Sequence, residues 1–194
     1  MASQGERRAR TRQALLDAAA ELFAERGVEG ASVDAVAEAA GRTSGAVYDH
    51  FGSKEGLLFA LLEGWVDDVA AVTGAELSTA TSLEERMAVM WRNVADPVVG
   101  DGRWIALEHE LWSYATRNEQ ARRYLARRYR AVWDALNEGV AEWVEGAEDV
   151  GPALIGLLLG LEMMRRVDPD AVTDEMAIAA LCGVVTGSHR KATT

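Results

Sequence analysis

The sequence predicts an all-α protein made of a short N-terminal helical domain and a larger C-terminal helical domain. Alanine, leucine, glutamate and arginine, which are strong helix formers, dominate the 194 residues, and apolar residues recur at helical spacing. Runs of β-branched residues and Asn-Gly hairpin signals are absent, which argues against strands. Because 49% of the residues are hydrophobic, the chain has enough apolar surface for a full core.

The first helix is predicted from about Arg8 to Arg26. Gly27 follows it and supplies the backbone freedom that ends a helix, whereas residues 1–8 are polar and are expected to be disordered. The apolar face of this helix consists of Leu15, Leu16, Ala19, Leu22 and Phe23.

A second, short helix is predicted directly after Ser32, whose hydroxyl can accept a backbone N–H at the helix start. Gly41 then allows the left-handed backbone that stops this helix and turns the chain. The apolar face of the helix consists of Val33, Val36, Ala37 and Ala40.

The third helix is predicted to run to Phe51 and to be capped by either Thr43 or Ser44. Val47 and Phe51 are four residues apart and face inward. Small and hydrogen-bonding residues remain on the outer face, and a helix of this kind suits insertion into a DNA major groove. These outer residues include Thr43, Ala46, Tyr48 and His50.

Six further helices are predicted in the rest of the chain. Ser53 caps the fourth helix, a Ser82–Glu85 capping box starts the fifth, and Thr173 caps the last one before a polar tail from Ser188. A turn is expected at 98–103. The predicted spans are about 53–74, 82–95, 104–115, 118–145, 151–168 and 173–187.

The segment from Ser32 to Lys54 resembles the helix-turn-helix of TetR-family transcriptional regulators. That family's pattern runs roughly T-x-x-x-I-A-x-x-A-G-V-S-x-G-x-x-Y-x-x-F-x-x-K-x-x-L. The matching residues here are Ser32, Val36, Ala37, Ala40, Gly41, Arg42, Thr43, Gly45, Tyr48, Phe51, Lys54 and Leu57. Arg42 is the departure, since the family usually has an apolar residue there. Beyond this segment, only length and helical pattern match.

The resemblance implies a DNA-binding domain at 8–68, with the helix-turn-helix at 32–51, and a ligand-binding and dimerisation domain at 69–194. The helix from Thr43 to Phe51 becomes the recognition helix. Since few of its side chains read bases, a homodimer on a pseudo-palindromic double-stranded DNA operator is expected. The implied DNA-contacting residues are Ser32, Arg42, Thr43, Ser44, Gly45, Ala46, Tyr48, His50 and Lys54.

Several of these residues also have structural interpretations that the sequence leaves open. Ser32 and Thr43 can serve only as helix caps, and His50 can be a solvated surface histidine. The four arginines between Arg7 and Arg12 either enter a flanking minor groove or form a solubilising tail.

The last two predicted helices carry the apolar stretches ALIGLLLGLEMM and AIAALCGVV. Such surface is too large to hide within a small helical domain, and Gly156 and Gly160 would let another helix approach closely. The resemblance implies that these two helices form a four-helix interface with a second copy of the chain. An intrachain core is the alternative.

The resemblance also implies a small-molecule effector, of unknown identity and largely apolar, in the C-terminal domain. All six tryptophans follow residue 60 and can line such a cavity, although ordinary core packing is the alternative for each. Glu108 and Glu162 lie in apolar surroundings, where they either meet a cationic ligand or are solvated or paired. The candidate pocket residues are Trp65, Trp91, Trp112 and Trp133.

The formal net charge of −11 argues against a globally basic nucleic-acid protein, and most of the acidity follows residue 60. The single cysteine, Cys182, is expected to be a small buried apolar residue, with an intermolecular disulfide as the alternative. The N-terminus lacks the apolar core of a signal peptide, and the longest apolar run is far short of the roughly 20 residues that span a bilayer. A cytoplasmic protein with no membrane attachment is expected.

No catalytic or metal-binding pattern is found in the sequence, so neither an enzyme nor a cofactor is expected. The three histidines lie far apart, and Glu108, His109 and Glu110 would fan apart on a helix. The predicted function is a DNA-binding transcriptional regulator, a repressor that a ligand releases from its operator. The alternative is a helical small-molecule-binding or enzymatic bundle that does not bind DNA.

Overall fold

The computed structural model describes residues 3–95, 103–145 and 149–188, without the side chains of 65–71, 103, 104 and 188. These residues form nine helices and no strand, which confirms the all-α class. In chain order the helices are α1 (Gln4–Gly30), α2 (Val33–Ala39), α3 (Ser44–Phe51), α4 (Lys54–Leu77), α5 (Leu83–Ala95), α6 (Arg103–Ala115), α7 (Glu119–Ala141), α8 (Gly151–Val167) and α9 (Asp174–Ser188).

The helices fall into two compact units. The first unit consists of Met1–Asp68 with Gly100–Leu125, and the second consists of Val69–Val99 with Ala126–Thr194. Helices α1, α2, α3 and α6 belong to the first unit, α5, α8 and α9 to the second, and α4 and α7 contribute residues to both. The first unit therefore includes α6, which lies within the predicted C-terminal domain. The division into domains at 8–68 and 69–194 stays a prediction.

Helix α1 begins at Gln4, so the expectation of disorder is wrong for residues 3–8, while residues 1 and 2 lie outside the described residues. The Ser3 hydroxyl accepts the Glu6 backbone N–H at 3.2 Å, and the Glu6 carboxylate accepts the Ser3 backbone N–H at 2.7 Å. This capping box satisfies N–H groups that a helix start otherwise leaves unpaired. The S-x-x-E signal is present in the sequence, but it lies in a polar tract where no apolar face marks a helix.

Gly27 interrupts α1 where the sequence predicts its stop. Its φ of 71° lies in the left-handed region that favours glycine, and one more turn follows to Gly30. The Glu110 carboxylate of α6 closes this kink, because its Oε1 accepts the Val28 backbone N–H at 3.0 Å. A Cβ on Gly27 would lie 2.8 Å from the same oxygen. The kink and α6 therefore fit each other only with glycine at this position.

The first unit buries most of the predicted apolar faces of α1 to α4 together with α6, although Val33, Ala40 and Phe51 are only half-buried. Among its most buried side chains are Leu15, Ala19, Phe23, Val36, Val47, Leu57, Leu58, Leu62, Ile105 and Leu111. The second unit buries Met87, Trp91, Leu154, Leu158, Ala177, Leu181 and Val185. Each unit therefore has its own apolar core.

Hydrogen bonds link α4 to α6 inside the first unit. The Tyr114 hydroxyl donates to the Glu55 carboxylate at 2.8 Å and accepts from the Asn118 side-chain amide at 2.8 Å. Burial and the neighbouring carboxylate, which favour the neutral phenol, raise the pKa of Tyr114 to about 12. Burial alone would raise the pKa of Glu55, but its hydrogen bonds outweigh that effect and lower it.

Two predicted helix ends differ from the observed ones. Helix α4 continues to Leu77 beyond Gly74, because an isolated glycine costs a helix only about 1 kcal/mol relative to alanine. Helix α7 ends at Ala141 rather than near Glu145. The predicted turn at 98–103 and the tail beyond Ser188 fall almost entirely outside the described residues.

Candidate nucleic-acid interface

Helices α2 and α3 form the predicted helix-turn-helix. The Ser32 hydroxyl accepts the Ala35 backbone N–H at 3.1 Å and thereby caps α2. Gly41 has a φ of 63°, and a Cβ there would contact nothing within 4 Å, so the conformation rather than the space calls for glycine. Val36 and Val47 are buried between the helices. The cap, the turn and inward-facing Val47 are as predicted, whereas Phe51, also predicted to face inward, is only half-buried.

The start of α3 is held by Ser44 rather than by a side-chain cap. Thr43 stands at the N-cap position, but its hydroxyl makes no capping hydrogen bond. The Ser44 hydroxyl instead donates to the Asp34 carboxylate of α2. Ser44 therefore links α3 to α2, and the exposed Thr43 hydroxyl is left for another partner.

The outer face of α3 is small and polar around one large aromatic side chain. Tyr48 is 55% exposed, which is unusual for an aromatic residue on a helix packed against a core. Gly45 is exposed and Ala46 is half-buried, so the backbone of α3 is accessible near its N-terminal end. Arg42 is exposed beside it and donates to the Gly41 carbonyl at 3.1 Å.

Lys54 is engaged within the protein. Its Nζ donates to the Ala31 carbonyl at 2.9 Å and lies 3.5 Å from the Glu29 carbonyl. These contacts pin the start of α4 against the end of α1, which no sequence pattern indicates because the two segments are more than twenty residues apart. The phosphate contact implied for Lys54 by the resemblance stays a prediction.

The arginines near the N-terminus lie on α1 rather than on an extended arm or a tail. Arg8 Nη2 is 3.5 Å from the Asp49 carbonyl oxygen of α3, and the Arg12 guanidinium is 5.4 Å from the centroid of the Phe51 ring. His50 is half-buried beside them. Burial, Arg8 and Arg12 lower the pKa of His50, and Asp49 opposes them.

The tryptophans proposed for a ligand pocket have varied surroundings. The Trp65 side chain lies outside the described residues, and Trp112 belongs to the first unit, where its ring is 6.2 Å from that of His109. Trp91 is only 1% exposed, and its Nε1 donates to Asp174 at 2.8 Å. Trp133 is half-buried. Their role in ligand binding stays a prediction.

A groove of about 490 Å³ lies in the second unit between α5 and α9, and neither Trp91, Trp112 nor Trp133 lines it. Its lining consists of Glu84, Glu175, Ile178, Ala179, Cys182, Gly183 and Thr186. Cys182 is only half-buried, and burial together with Glu84 raises the pKa of its thiol. Glu162 is buried and paired with Arg166, so the paired alternative holds for that carboxylate.

Helices α8 and α9 also present an apolar outer face. Met164 is 52% exposed and Val167 75%, and Met176 is exposed on α9. Gly156 and Gly160 continue this face on α8, where a Cβ on either would contact nothing within 4 Å, and Gly183 and Gly187 on α9 are equally open. Apolar as they are, neither these helices nor any other described helix is long and apolar enough to cross a membrane.

No described group of three or more His, Cys, Asp or Glu side chains is arranged to hold a metal ion.

Comparison with known proteins identifies the family. Residues 15–61 match the family described as bacterial regulatory proteins, tetR family. The HTH-type transcriptional repressor KstR2 of Mycobacterium tuberculosis is 31% identical over 141 residues, which are 66% of this chain and 66% of KstR2. The HTH-type transcriptional repressor AcnR of Corynebacterium glutamicum is 38% identical over 107 residues, which are 55% of this chain and 52% of AcnR.

The matches thus span half to two thirds of these curated relatives. The crystal structure of the transcriptional regulator FadR from Bacillus subtilis in complex with stearoyl-CoA has the same fold, with a TM-score of 0.74 at 19% identity over 90% of this chain and 98% of FadR. These proteins are transcriptional regulators and not enzymes, as the sequence predicts for this chain. The chain belongs to the TetR family of helix-turn-helix transcriptional regulators.

Proposed function

We propose that the protein is a transcriptional repressor that binds a pseudo-palindromic DNA operator as a homodimer and leaves it when a small molecule binds. The observation that carries the proposal is the outer face of α3. On this helix Val47 is fully buried, while Tyr48 directly beside it is 55% exposed. A folded domain gains nothing by exposing this ring, but the ring can contact a backbone phosphate or a thymine methyl group.

The other proposed DNA contacts surround Tyr48. Thr43 has a free hydroxyl at the start of α3, and exposed Gly45 permits close approach of the backbone to DNA. Contacts to phosphates position the protein, and the contacts of the α3 side chains to bases specify the site. The remaining proposed contact residues are Ser32, Arg42, Ser44, Ala46, His50 and Lys54.

Dimerisation is supported by the outer face of α8 and α9. Exposed Met164 and Val167 lie on the same helix as the open glycines Gly156 and Gly160, so a partner helix can approach α8 closely and bury them. One α3 helix contacts few bases, so a single copy of the chain reads only one half-site. A dimer presents two α3 helices and therefore reads two half-sites.

Effector binding in the second unit is supported by a buried donor. Asn93 of α5 is 3% exposed, and in the described structure its Nδ2 has no hydrogen-bond partner. Leaving a buried donor unpaired costs about 1–3 kcal/mol, which a ligand with an acceptor oxygen would recover. FadR shares this fold and was crystallised with stearoyl-CoA, so the fold can hold a ligand that carries a long acyl chain.

The test is capture of fragmented genomic DNA by the purified protein, followed by sequencing of the retained fragments. We expect enrichment of a palindromic site by the wild-type protein and loss of that enrichment with Tyr48→Ala. Since Tyr48 is exposed, the variant should keep the wild-type thermal unfolding temperature, and this separates lost recognition from lost folding. Failure of the folded wild-type protein to enrich any site would contradict the proposal.

A further inference from the structure

Three cationic or titratable side chains meet at the C-terminal end of α3, beside the face that the helix-turn-helix motif predicts. Arg8 lies 3.5 Å from the Asp49 carbonyl oxygen, and Arg12 lies over the Phe51 ring. The His50 ring is 5.9 Å from that of Phe51. Since Arg8 and Arg12 are four residues apart, they share the face of α1 that points to α3.

This cluster has more positive than negative charge. Both arginines are exposed, and the long contact of Arg8 occupies one of the five N–H donors of its guanidinium. Asp49 raises the pKa of His50, whereas Arg8 and Arg12 both lower it. One cation would suffice to stabilise the carbonyl end of a helix. Two arginines and a histidine provide more positive charge than the helix end requires, so the cluster can also bind an anion.

We propose that Arg8, Arg12 and His50 form a phosphate site that seats one backbone phosphate of DNA at the C-terminal end of α3. The inference rests on the proposed DNA-binding function and extends the DNA interface to the first turns of α1. Guanidinium groups suit this role because their fork of N–H donors matches the oxygens of a phosphate. The Ser3 cap matters because it keeps Arg8 on a formed helix.

The site links DNA binding to protonation of His50. Without DNA, burial, Arg8 and Arg12 hold the pKa of His50 below 6.5. A phosphate brings negative charge and raises that pKa, so the complex binds a proton that the free protein lacks. The DNA affinity should therefore rise as the pH falls from about 7.5 to about 6.

Two charged side chains on the neighbouring helices α2 and α4 make hydrogen bonds away from His50. Asp34 of α2 accepts the Ser44 hydroxyl at the opposite end of α3. Lys54 of α4 donates to the Ala31 carbonyl. The charged groups that act on the pKa of His50 are Arg8, Asp49 and Arg12.

The experiment measures binding of the full chain to a generic DNA duplex of about 30 base pairs, so that no operator need be known. Fluorescence anisotropy at several salt concentrations gives the slope of log K against log salt, which changes by about 0.9 per phosphate contact. The variants are Arg8→Gln with Arg12→Gln, the charge-preserving Arg8→Lys with Arg12→Lys, and Arg10→Gln. Arg10 is an exposed control, since it lies two residues from Arg8 and faces away from α3.

We expect the double glutamine variant to lose about 0.9 of the slope, and the lysine variant and Arg10→Gln to keep it. The histidine NMR titration supplies a second readout, because loss of both arginines should raise the pKa of His50 in the free protein. His50→Gln should abolish the excess affinity at low pH. A double glutamine variant with an unchanged slope would overturn the phosphate site while leaving DNA binding intact. No binding of the wild-type protein at low salt would instead overturn the proposed function.

Discussion

The outer face of α3 and the outer face of α8 and α9 are both exposed, but their chemistry is opposite. Tyr48 on α3 stands among small and polar residues, whereas Met164 and Val167 on α8 stand among glycines. A groove-reading helix needs particular side chains at fixed positions, and this is why a sequence motif marks it. An apolar contact face needs only the right size and polarity, so many sequences satisfy it and no motif marks it.

The glycines also differ in whether packing within the chain requires them. A Cβ on Gly56 would overlap the Phe51 carbonyl oxygen, and one on Gly151 would lie 2.7 Å from the Trp133 carbonyl oxygen. These two glycines are required by packing within the chain. A Cβ on Gly160 would contact nothing within 4 Å, and one on Gly45 would make only an ordinary contact with the Thr43 hydroxyl, so packing within the chain does not require glycine at either position.

The largest effect is expected for Gly56→Ala. The added methyl group would force α4 away from the end of α3, and overpacking of this kind costs about 3 kcal/mol of the free energy of unfolding. Urea unfolding measures it, with Gly45→Ala as the control, because the nearest atom to a Cβ on Gly45 is the Thr43 hydroxyl at 3.7 Å. Equal stability of the two variants would break the distinction between required and open glycines.

Gly160→Leu should weaken the proposed dimer without unfolding the monomer. A leucine side chain finds open space within its own chain but blocks the approach of a partner helix, so we expect the dimer dissociation constant to rise at least about tenfold, or 1.4 kcal/mol. Analytical ultracentrifugation measures it. Gly151→Ala is the matched glycine substitution with the opposite effect, since it should lower the free energy of unfolding. A wild-type dissociation constant in Gly160→Leu would place the interface elsewhere.

The Tyr114–Glu55 hydrogen bond predicts a loss of stability in alkali. The pKa of Tyr114 is about 12 in the folded protein against 10.0 for a free tyrosine. The stabilisation is therefore complete below pH 10.0 and is lost as the pH rises towards 12. Urea unfolding across this range should show a steeper decline for the wild-type protein than for Tyr114→Phe. Parallel declines would mean that Tyr114 ionises alike in both states.

The smallest effect separates two hydroxyl residues at helix starts. Ser32→Ala should cost about 1 kcal/mol of stability, because Ser32 accepts the Ala35 N–H. Thr43→Ala should cost much less, since Thr43 makes no capping bond. If both substitutions change DNA affinity but only Ser32→Ala changes the free energy of unfolding, Thr43 serves DNA binding alone.

The parts of the fold that sequence analysis predicts well are those determined by neighbouring residues. Ser32, Gly41 and Val47 act through contacts a few positions away, so their spacing is informative. The carbonyl partners of Lys54 and the approach of Arg8 to α3 depend on distant segments packing together, and no local pattern encodes them. The tryptophans illustrate the same limit, because helical spacing marks Trp91 as inward-facing without distinguishing core from cavity.

The most direct test of the account is a hydroxyl-radical footprint on the DNA fragment captured by the wild-type protein. Two recognition helices held by one dimer should protect two symmetric segments about one helical turn, or a multiple of it, apart. Both should vanish together with Tyr48→Ala. A single protected segment produced by a dimeric protein, or protection that persists in the Tyr48→Ala variant, would contradict the assignment of α3 as the DNA-reading helix of a symmetric dimer.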